Sequence, residues 1–501
     1  MKNDTLLAAI DLGSNSFRLE IGRLSLGQIH RVEYLKETVR QGNGLDSERL
    51  LSDEAMQRGW ECLARFAERL SGFKKQQVRA VATQTLREAR NRDDFLSRAK
   101  QILGFPIEVI SGREEARLIY QGVAHLLPQS NDQRLVIDIG GRSTELILGQ
   151  GLGASVTESY RVGSVAWSMK YFRHGQLDES AFIRAEIAAK AILDEALSLY
   201  PRSAWDVAYG SSGTVGAVGD ILSVAGWSRG LIDREGLAWL KRCMLRAQHA
   251  DKLRLDGLKE DRRAVIGGGV SVLMALFDLL DIDVLHVADG ALRHGVLFDM
   301  LEREDQQEDV RATTVRRLQK NFGVDLTQAD RVCRVALELL TQLSPDVSNH
   351  ETTRIHRKLE WAAQLHEMGS LISHSDYHKH GAYILDNSDA TGFAVSELHR
   401  LSLLVLGHRG KLRKLNVDFD DEAFAMQLMC LRLSVILCHA RRDPESQPLK
   451  LSCSGTPARQ FTLALPADWA KQFPQSTHLL SEEVQAWQKT TWNLVLQMDQ
   501  A

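Results

Sequence analysis

Residues 8–19 read AAIDLGSNSFRL, and residues 136–148 read VIDIGGRSTELIL. Each stretch is an apolar run ending in Asp, then Gly, a small polar turn and a second apolar run. The two aspartates, Asp11 and Asp138, stand 127 residues apart (138 − 11). A turn of Gly, Ser, Asn and Thr exposes backbone N–H groups and hydroxyls with little side-chain bulk, which suits phosphate oxygens. An Asp ending the preceding strand is placed to hold a divalent cation, directly or through water. One such turn is an ordinary hairpin. Two of them, one per lobe, predict a clamp on a row of phosphates. The first turn offers Gly13, Ser14, Asn15 and Ser16; the second offers Gly140, Gly141, Arg142, Ser143 and Thr144.

The surrounding architecture also repeats. Around the first turn, strand-like runs (LLAAIDLG, SFRLEIGRL, IHRVEYL) precede a helix with apolar spacing at Met56, Trp60, Leu63, Phe66 and Leu70. VRAVAT and FPIEVIS are strand-like and DDFLSRAKQIL helical. The order restarts at RLVIDIG and STELILG, passes a long helix in DESAFIRAEIAAKAILDEAL, and continues through WDVAYG, VGAVGDIL and VLHVADG. This is a duplicated α/β module rather than a short-period solenoid. The charged stretch 301–314 marks a boundary. Beyond it the chain is helical to about 445, with α+β character after that. The expected domains are 1–124, 125–305, 306–445 and 446–501.

The 501-residue chain is 44% hydrophobic and 25% charged, ordinary globular composition. A formal net charge of −3 advertises no polyanion or nucleic-acid partner across the whole surface, so a positive site must be a local cleft. Six scattered cysteines without a CxxC pair argue against a zinc knuckle or redox dithiol and suggest a cytoplasmic protein. The N-terminus lacks a signal-peptide core. The apolar run FAMQLMCLRLSVILCHA contains Arg432, is short for a bilayer, and reads as a buried helix with no integral membrane segment.

Two further loops place small residues before a helix. AYGSSGTVGAV brings Gly210, Ser212, Gly213 and Thr214; VADGALRHGVL has the same form. Helix N-termini stabilise anions through free N–H groups and the macrodipole. The plainer alternative is N-capping by Ser212 or Asp289. In FPIEVISGREEARLIYQGVAHLL, Ser111 and Glu114 fit a capping box. Glu115 is left over, about 100° round the helix, in line with Leu118 and Ile119. Pattern alone leaves two readings: a solvated first-turn carboxylate, or a general base with a raised pKa.

The motifs AIDLGSNSFRL, ATQTLREA, VISGREEARLIYQGV, VIDIGGRSTEL, YGSSGT and DGALRHGVL, in this order, resemble the exopolyphosphatase / guanosine pentaphosphate phosphohydrolase family. The tail LHEMGSLISHSDYHKHGAYIL resembles the HD-related helical domain of its long members. The resemblance implies two actin-like (ribonuclease H-like) lobes around a cleft, then a helical HD-like domain and a small α+β unit. It implies hydrolysis of a terminal phosphate with Mg²⁺ present. The family's catalytic glutamate falls on Glu115, its metal- and phosphate-linked pair on Asp138 and Glu145, and basic cleft positions on Arg87 and Arg262; Asp11 is a further candidate metal ligand. A homodimer is implied as well.

Two positions depart from the family pattern: Arg142 stands where a third Gly is usual, and His294 where Glu is usual. The helical domain carries Glu367 where HD phosphohydrolases have Asp, with His356, His374, His378, His380 and His408 nearby in sequence. GHRGKLRK (407–414) packs five potentially cationic side chains into eight residues and reads as a solvated loop or a guide for a polyanion. The first functional reading is an exopolyphosphatase acting on inorganic polyphosphate. Its rival within the family is a guanosine pentaphosphate (pppGpp) 5′-phosphohydrolase. Outside these stand an ATP-driven chaperone or sugar kinase on the same scaffold, and a non-catalytic polyphosphate or alarmone sensor.

Overall fold

A computed structural model describes residues 4–25, 28–303, 309–343, 350–443, 449–454, 459–466 and 469–498. In the first lobe β1 (Leu6–Leu12) and β2 (Phe17–Ser25) pair antiparallel around the first glycine turn, and β3 (Gln28–Glu37) continues the meander. β4 (Val78–Ala82) lies parallel to β1, and β5 (Ile107–Val109) parallel to β4, in the order β3-β2-β1-β4-β5. The second lobe uses β6 (Gln133–Ile139), β7 (Thr144–Gln150), β8 (Gly153–Tyr160), β9 (Val207–Ser211), β10 (Leu231–Asp233) and β11 (Val284–Val287). Its order is β10-β11-β9-β6-β7-β8. Reversed, β8-β7-β6-β9-β11 repeats the first sheet strand for strand, with β10 added antiparallel at the edge. These are two actin-like lobes.

Central strands β1 and β6 are almost wholly buried, as continuous apolar runs flanked on both faces must be, whereas edge strand β3 is largely exposed. The Trp60 helix (Asp53–Arg69) starts where the Ser52 hydroxyl accepts from the Ala55 N–H at 3.3 Å, and buries Met56, Leu63 and Phe66. Between the lobes, helices Gly112–Ala124 and Leu292–Glu302 share one apolar core with Leu7, Val81, Val136 and Ile147.

The chain forms two compact units, Met1–Asp309 and Val310–Ala501. The charged boundary read at 301–314 contains this division, and its residues 304–308 lie outside the described residues. The second unit is helical, from Val310–Asn321 to Glu422–Leu437, and closes with β12 (Lys450–Ser454), β13 (Gln460–Leu465) and β14 (Asn493–Met498). Leu451, Phe461, Leu463 and Trp487 join the same core as Leu339, Cys430 and Leu433, so segments 306–445 and 446–501 pack as one body. Arg432 is buried on its apolar helix because Glu483 faces it at 2.6 Å and Gly407 O accepts from it at 2.6 Å. No helix among the described residues is long and apolar enough to cross a membrane.

His366 and His408 are buried here, each with Nδ1 on a backbone carbonyl, at 2.7 and 2.6 Å, and burial holds both below the usual imidazole range. Glu367 pairs with Arg441 at 3.0 Å. Among the described residues no three His, Cys, Asp or Glu side chains group so as to hold a metal by themselves. Burial of His408 leaves four exposed cations in GHRGKLRK: Arg409, Lys411, Arg413 and Lys414.

Candidate active site

The two glycine turns meet. A Cβ added at Gly141 would lie 3.1 Å from the Ser14 Cβ, so the hairpins touch across the lobes. Each turn has the same internal geometry: a Cβ at Gly13 would meet Ser16 O at 3.0 Å, and one at Gly140 would meet Ser143 O at 3.1 Å. Ser14 is fixed by the Thr85 hydroxyl, 2.8 Å away in the TQTLREA segment. Both turns open on a cavity of about 460 Å³ lined by Gly13, Ser14, Asn15, Ser16, Gly140, Gly141 and Ser143. Asp11 and Asp138 line it from the ends of β1 and β6.

Glu115 also lines this cavity and is 6% exposed. Its helix begins as the sequence suggests, with the Ser111 hydroxyl accepting from the Glu114 N–H at 3.2 Å. The Glu114 carboxylate pairs with Arg117, which frees the next carboxylate to face the cleft. Arg87 stands behind Glu115 rather than on the cavity wall. Its Nη1 reaches Glu115 at 3.2 Å and Ile110 O at 2.8 Å, and its Nη2 bonds Gln84. Burial pushes the Glu115 carboxyl up to about 7; Arg87 opposes this, while Asp11 and Asp138 reinforce it.

In the second lobe, Ser212 and Gly213 line the cavity at the start of helix Ser212–Val224. Ser212 holds a left-handed backbone, φ 74°, with its hydroxyl donating to Ile139 O at 2.8 Å. It therefore binds β6 to β9 and does not cap the helix. The Arg262 guanidinium covers Gly213 so closely that a Cβ there would fall 1.9 Å from it. Among the described residues the Arg262 guanidinium makes no hydrogen bond or ion pair; burial, then the like charge of Arg18, pull its pKa down against the charge of Asp261. An under-neutralised guanidinium in a cleft is an anion site.

Six other sequence-derived positions stand back from the cavity. Thr144 donates to Val162 O at 2.6 Å, and Gly210 lies in β9 where a Cβ would strike Val215 and Leu285. Thr214 is buried in its helix. Glu145, opposite Asp138 in register, accepts from Ser159 at 2.7 Å; burial, then Glu115 and Asp138, drives its pKa well up. Arg142 turns to the first lobe, donating to Gly42 O at 3.1 Å and Glu88 at 3.3 Å, with no positive φ. His294 accepts from the Ala291 N–H at 3.1 Å, starting its helix, and faces Glu20 at 3.3 Å; Asp289 does not cap it.

The sequence reading missed Arg18, Tyr34, Lys36, Lys259 and Arg293, all on the wall. Arg18 was signalled: in alternating strand SFRLE it shares a face with Glu20, and register sets it beside Asp11, which it meets at 2.9 Å. Lys36, Lys259 and Arg293 reach the cavity only through tertiary structure.

The donor set can be tested for a divalent cation. Burial raises Asp138 to about 6, against bonds from Ser211 and Ser212 and the charge of Arg18. The charge of Asp11 adds to the rise at Asp138, and those of Asp11 and Asp138 to the rise at Glu115, an excess of buried negative charge that a cation would relieve. No three of them converge as a complete protein cage. The set therefore fits Mg²⁺ in its usual mode, one or two carboxylates with substrate phosphates and water supplying the rest.

The "Ppx/GppA phosphatase family" profile matches residues 21–304, and "Ppx/GppA phosphatase, domain III" matches residues 310–485. The chain belongs to this family. Similar relatives are the guanosine-5'-triphosphate,3'-diphosphate pyrophosphatases of Vibrio vulnificus (39% identical over 498 residues, 99% of each chain) and Pseudoalteromonas translucida (39% over 492 residues, 98% of each). Solved structures of an exopolyphosphatase from Cytophaga hutchinsonii (23% identity, TM-score 0.54) and of the Aquifex aeolicus family member (24%, 0.51) each align with 60% of this chain. They cover 98% and 99% of their own chains and share the fold. A Ppx/GppA phosphatase hydrolyses phosphoanhydride bonds, which excludes the chaperone and kinase alternatives.

Proposed function

We propose that this chain removes the terminal 5′-phosphate of guanosine 5′-triphosphate 3′-diphosphate, yielding inorganic phosphate and guanosine 3′,5′-bis(diphosphate). The observation that carries this reading is end-to-end similarity, 39% over 99% of both chains, to a relative named for that substrate. Sequence motifs alone put linear polyphosphate first; the full-length relatives favour the rival.

Glu115 takes a proton from a water held in line with the terminal phosphorus. The water oxygen bonds to phosphorus as the bridging P–O bond breaks, and the remaining diphosphate leaves with that oxygen. A base that titrates near 7 is matched to this task. Arg87 fixes the carboxylate from behind. N–H groups of both turns and the guanidiniums of Arg18 and Arg262 meet the phosphate charge as it shifts toward the leaving oxygen. Asp138, supported by Asp11 and Glu145, would hold Mg²⁺, which when bound neutralises phosphate charge.

Phosphate release from pppGpp and from long-chain polyphosphate, by wild type and Glu115→Gln, tests both parts. The wild type is expected to prefer pppGpp, and the variant to lose about 10²–10⁴ in rate. Equal rates for the two proteins would remove the base; preference for polyphosphate would remove the substrate.

A further inference from the structure

Edge strand β3 sends two side chains into the cleft. In register, Asp11, Arg18 and Lys36 form one row across β1, β2 and β3; Ala9, Glu20 and Tyr34 form the next row on the same face. The first row ends in an ion pair between the lobes, Lys36 with Asp261 at 2.8 Å, beside Arg262. The second ends in Tyr34, the one aromatic residue among the described residues lining the cavity. Tyr34 is 38% exposed.

Its surroundings brace the ring. The Arg293 guanidinium lies 4.9 Å from the ring centroid, and Glu20 holds that guanidinium at 2.5 Å. Glu20 is itself buried and also faces His294 at 3.3 Å. His294 thus belongs to the bracket behind Tyr34. Arg31, exposed at 6.0 Å from the centroid, sits at the limit of cation–π range.

A phosphate chain has no apolar or π face, so it can use the Tyr34 hydroxyl but not the ring. A purine has such a face, and base–aromatic stacking needs only a ring held in place. We propose that Tyr34 is the platform on which the guanine base of the substrate stacks, braced by Arg293, and that it sets preference for a nucleotide over a bare phosphate chain. This rests on the pppGpp reading above.

The test is the ratio of kcat/KM for pppGpp to that for inorganic tripolyphosphate, which offers the same anhydride without a nucleoside. It is measured for wild type, Tyr34→Ala and Tyr34→Phe. The ratio is expected to fall about tenfold in Tyr34→Ala, through KM for pppGpp, and to survive in Tyr34→Phe. An unchanged ratio in Tyr34→Ala, including equal loss on both substrates, overturns the platform and spares the pppGpp reading. A wild type that prefers tripolyphosphate overturns both.

Discussion

Glu115 is a largely buried carboxylate on the cavity wall, with Arg87 as its nearest cation and two further acids close by. Raised from 4.5 to about 7, its pKa has two consequences of opposite convenience. As base, Glu115 must be ionised, so kcat is expected to climb as pH passes through about 7 and then level; a pH–rate profile checks this, and Glu115→Gln should lack that limb. For folding the sign reverses. A carboxyl whose pKa rises on folding stabilises the native state fully below the unfolded value, and that stability is lost as pH rises through about 7. Glu115→Gln is therefore expected to raise Tm at pH 8 and leave it unchanged at pH 4, with a ceiling of roughly 3 kcal/mol. Gly213 is the second residue on which binding turns. Ala there would displace the Arg262 guanidinium, the flexible end of a side chain, so Gly213→Ala is expected to fold normally but raise KM about tenfold, the loss of one charge-assisted contact.

Helices Gly112–Ala124 and Leu292–Glu302 set where the base stands. They cross so closely that a Cβ at Gly295 would fall 1.7 Å from Leu118 O, and one at Gly122 would fall 2.3 Å from Ala291 O. Backbone cannot yield as a side chain can, so Gly295→Ala is expected to destabilise by about 3 kcal/mol or more, read from the urea midpoint. The crossing is also tied by charge. Asp299 collects Arg79 of β4, Arg117 of the Glu115 helix at 2.5 Å and Arg303 at 2.6 Å, and these cations hold its pKa far down despite burial. Removing the anion strands buried cations. Asp299→Ala is expected to cost about 3–5 kcal/mol in equilibrium denaturation.

On the scale of the whole molecule, each compact unit has its own apolar interior. The catalytic unit is sealed by its two sheets and the helix pair between them. Residues 1–309 expressed alone are expected to melt in one cooperative transition with native near-ultraviolet ellipticity; a non-cooperative melt would mean that the core is incomplete without the rest. The duplicated lobes also explain why near-neutral overall charge suffices. Arginines and lysines are brought from both lobes to one cavity, where walls of low dielectric concentrate their effect.

Much of this was written in local pattern. Continuous apolar runs, small-residue turns and the Ser111 cap are short-range physics, so the repeated hairpin, the order of strands and helices, and a leftover glutamate at position 115 could be read from residues 8–148 and their surroundings. Local pattern could not tell a phosphate turn from a buried strand end, which is why Thr144 and Gly210 read as candidates though both are packed inside. Nor could it tell that Arg142 bridges the lobes, since its partners Gly42 and Glu88 are 100 and 54 residues away. The depth at which Glu115 is buried, the bare guanidinium of Arg262 and the bracket behind Tyr34 depend on lobes meeting across long separations. Desolvation and charge pairing act through space, so only the tertiary structure decided them.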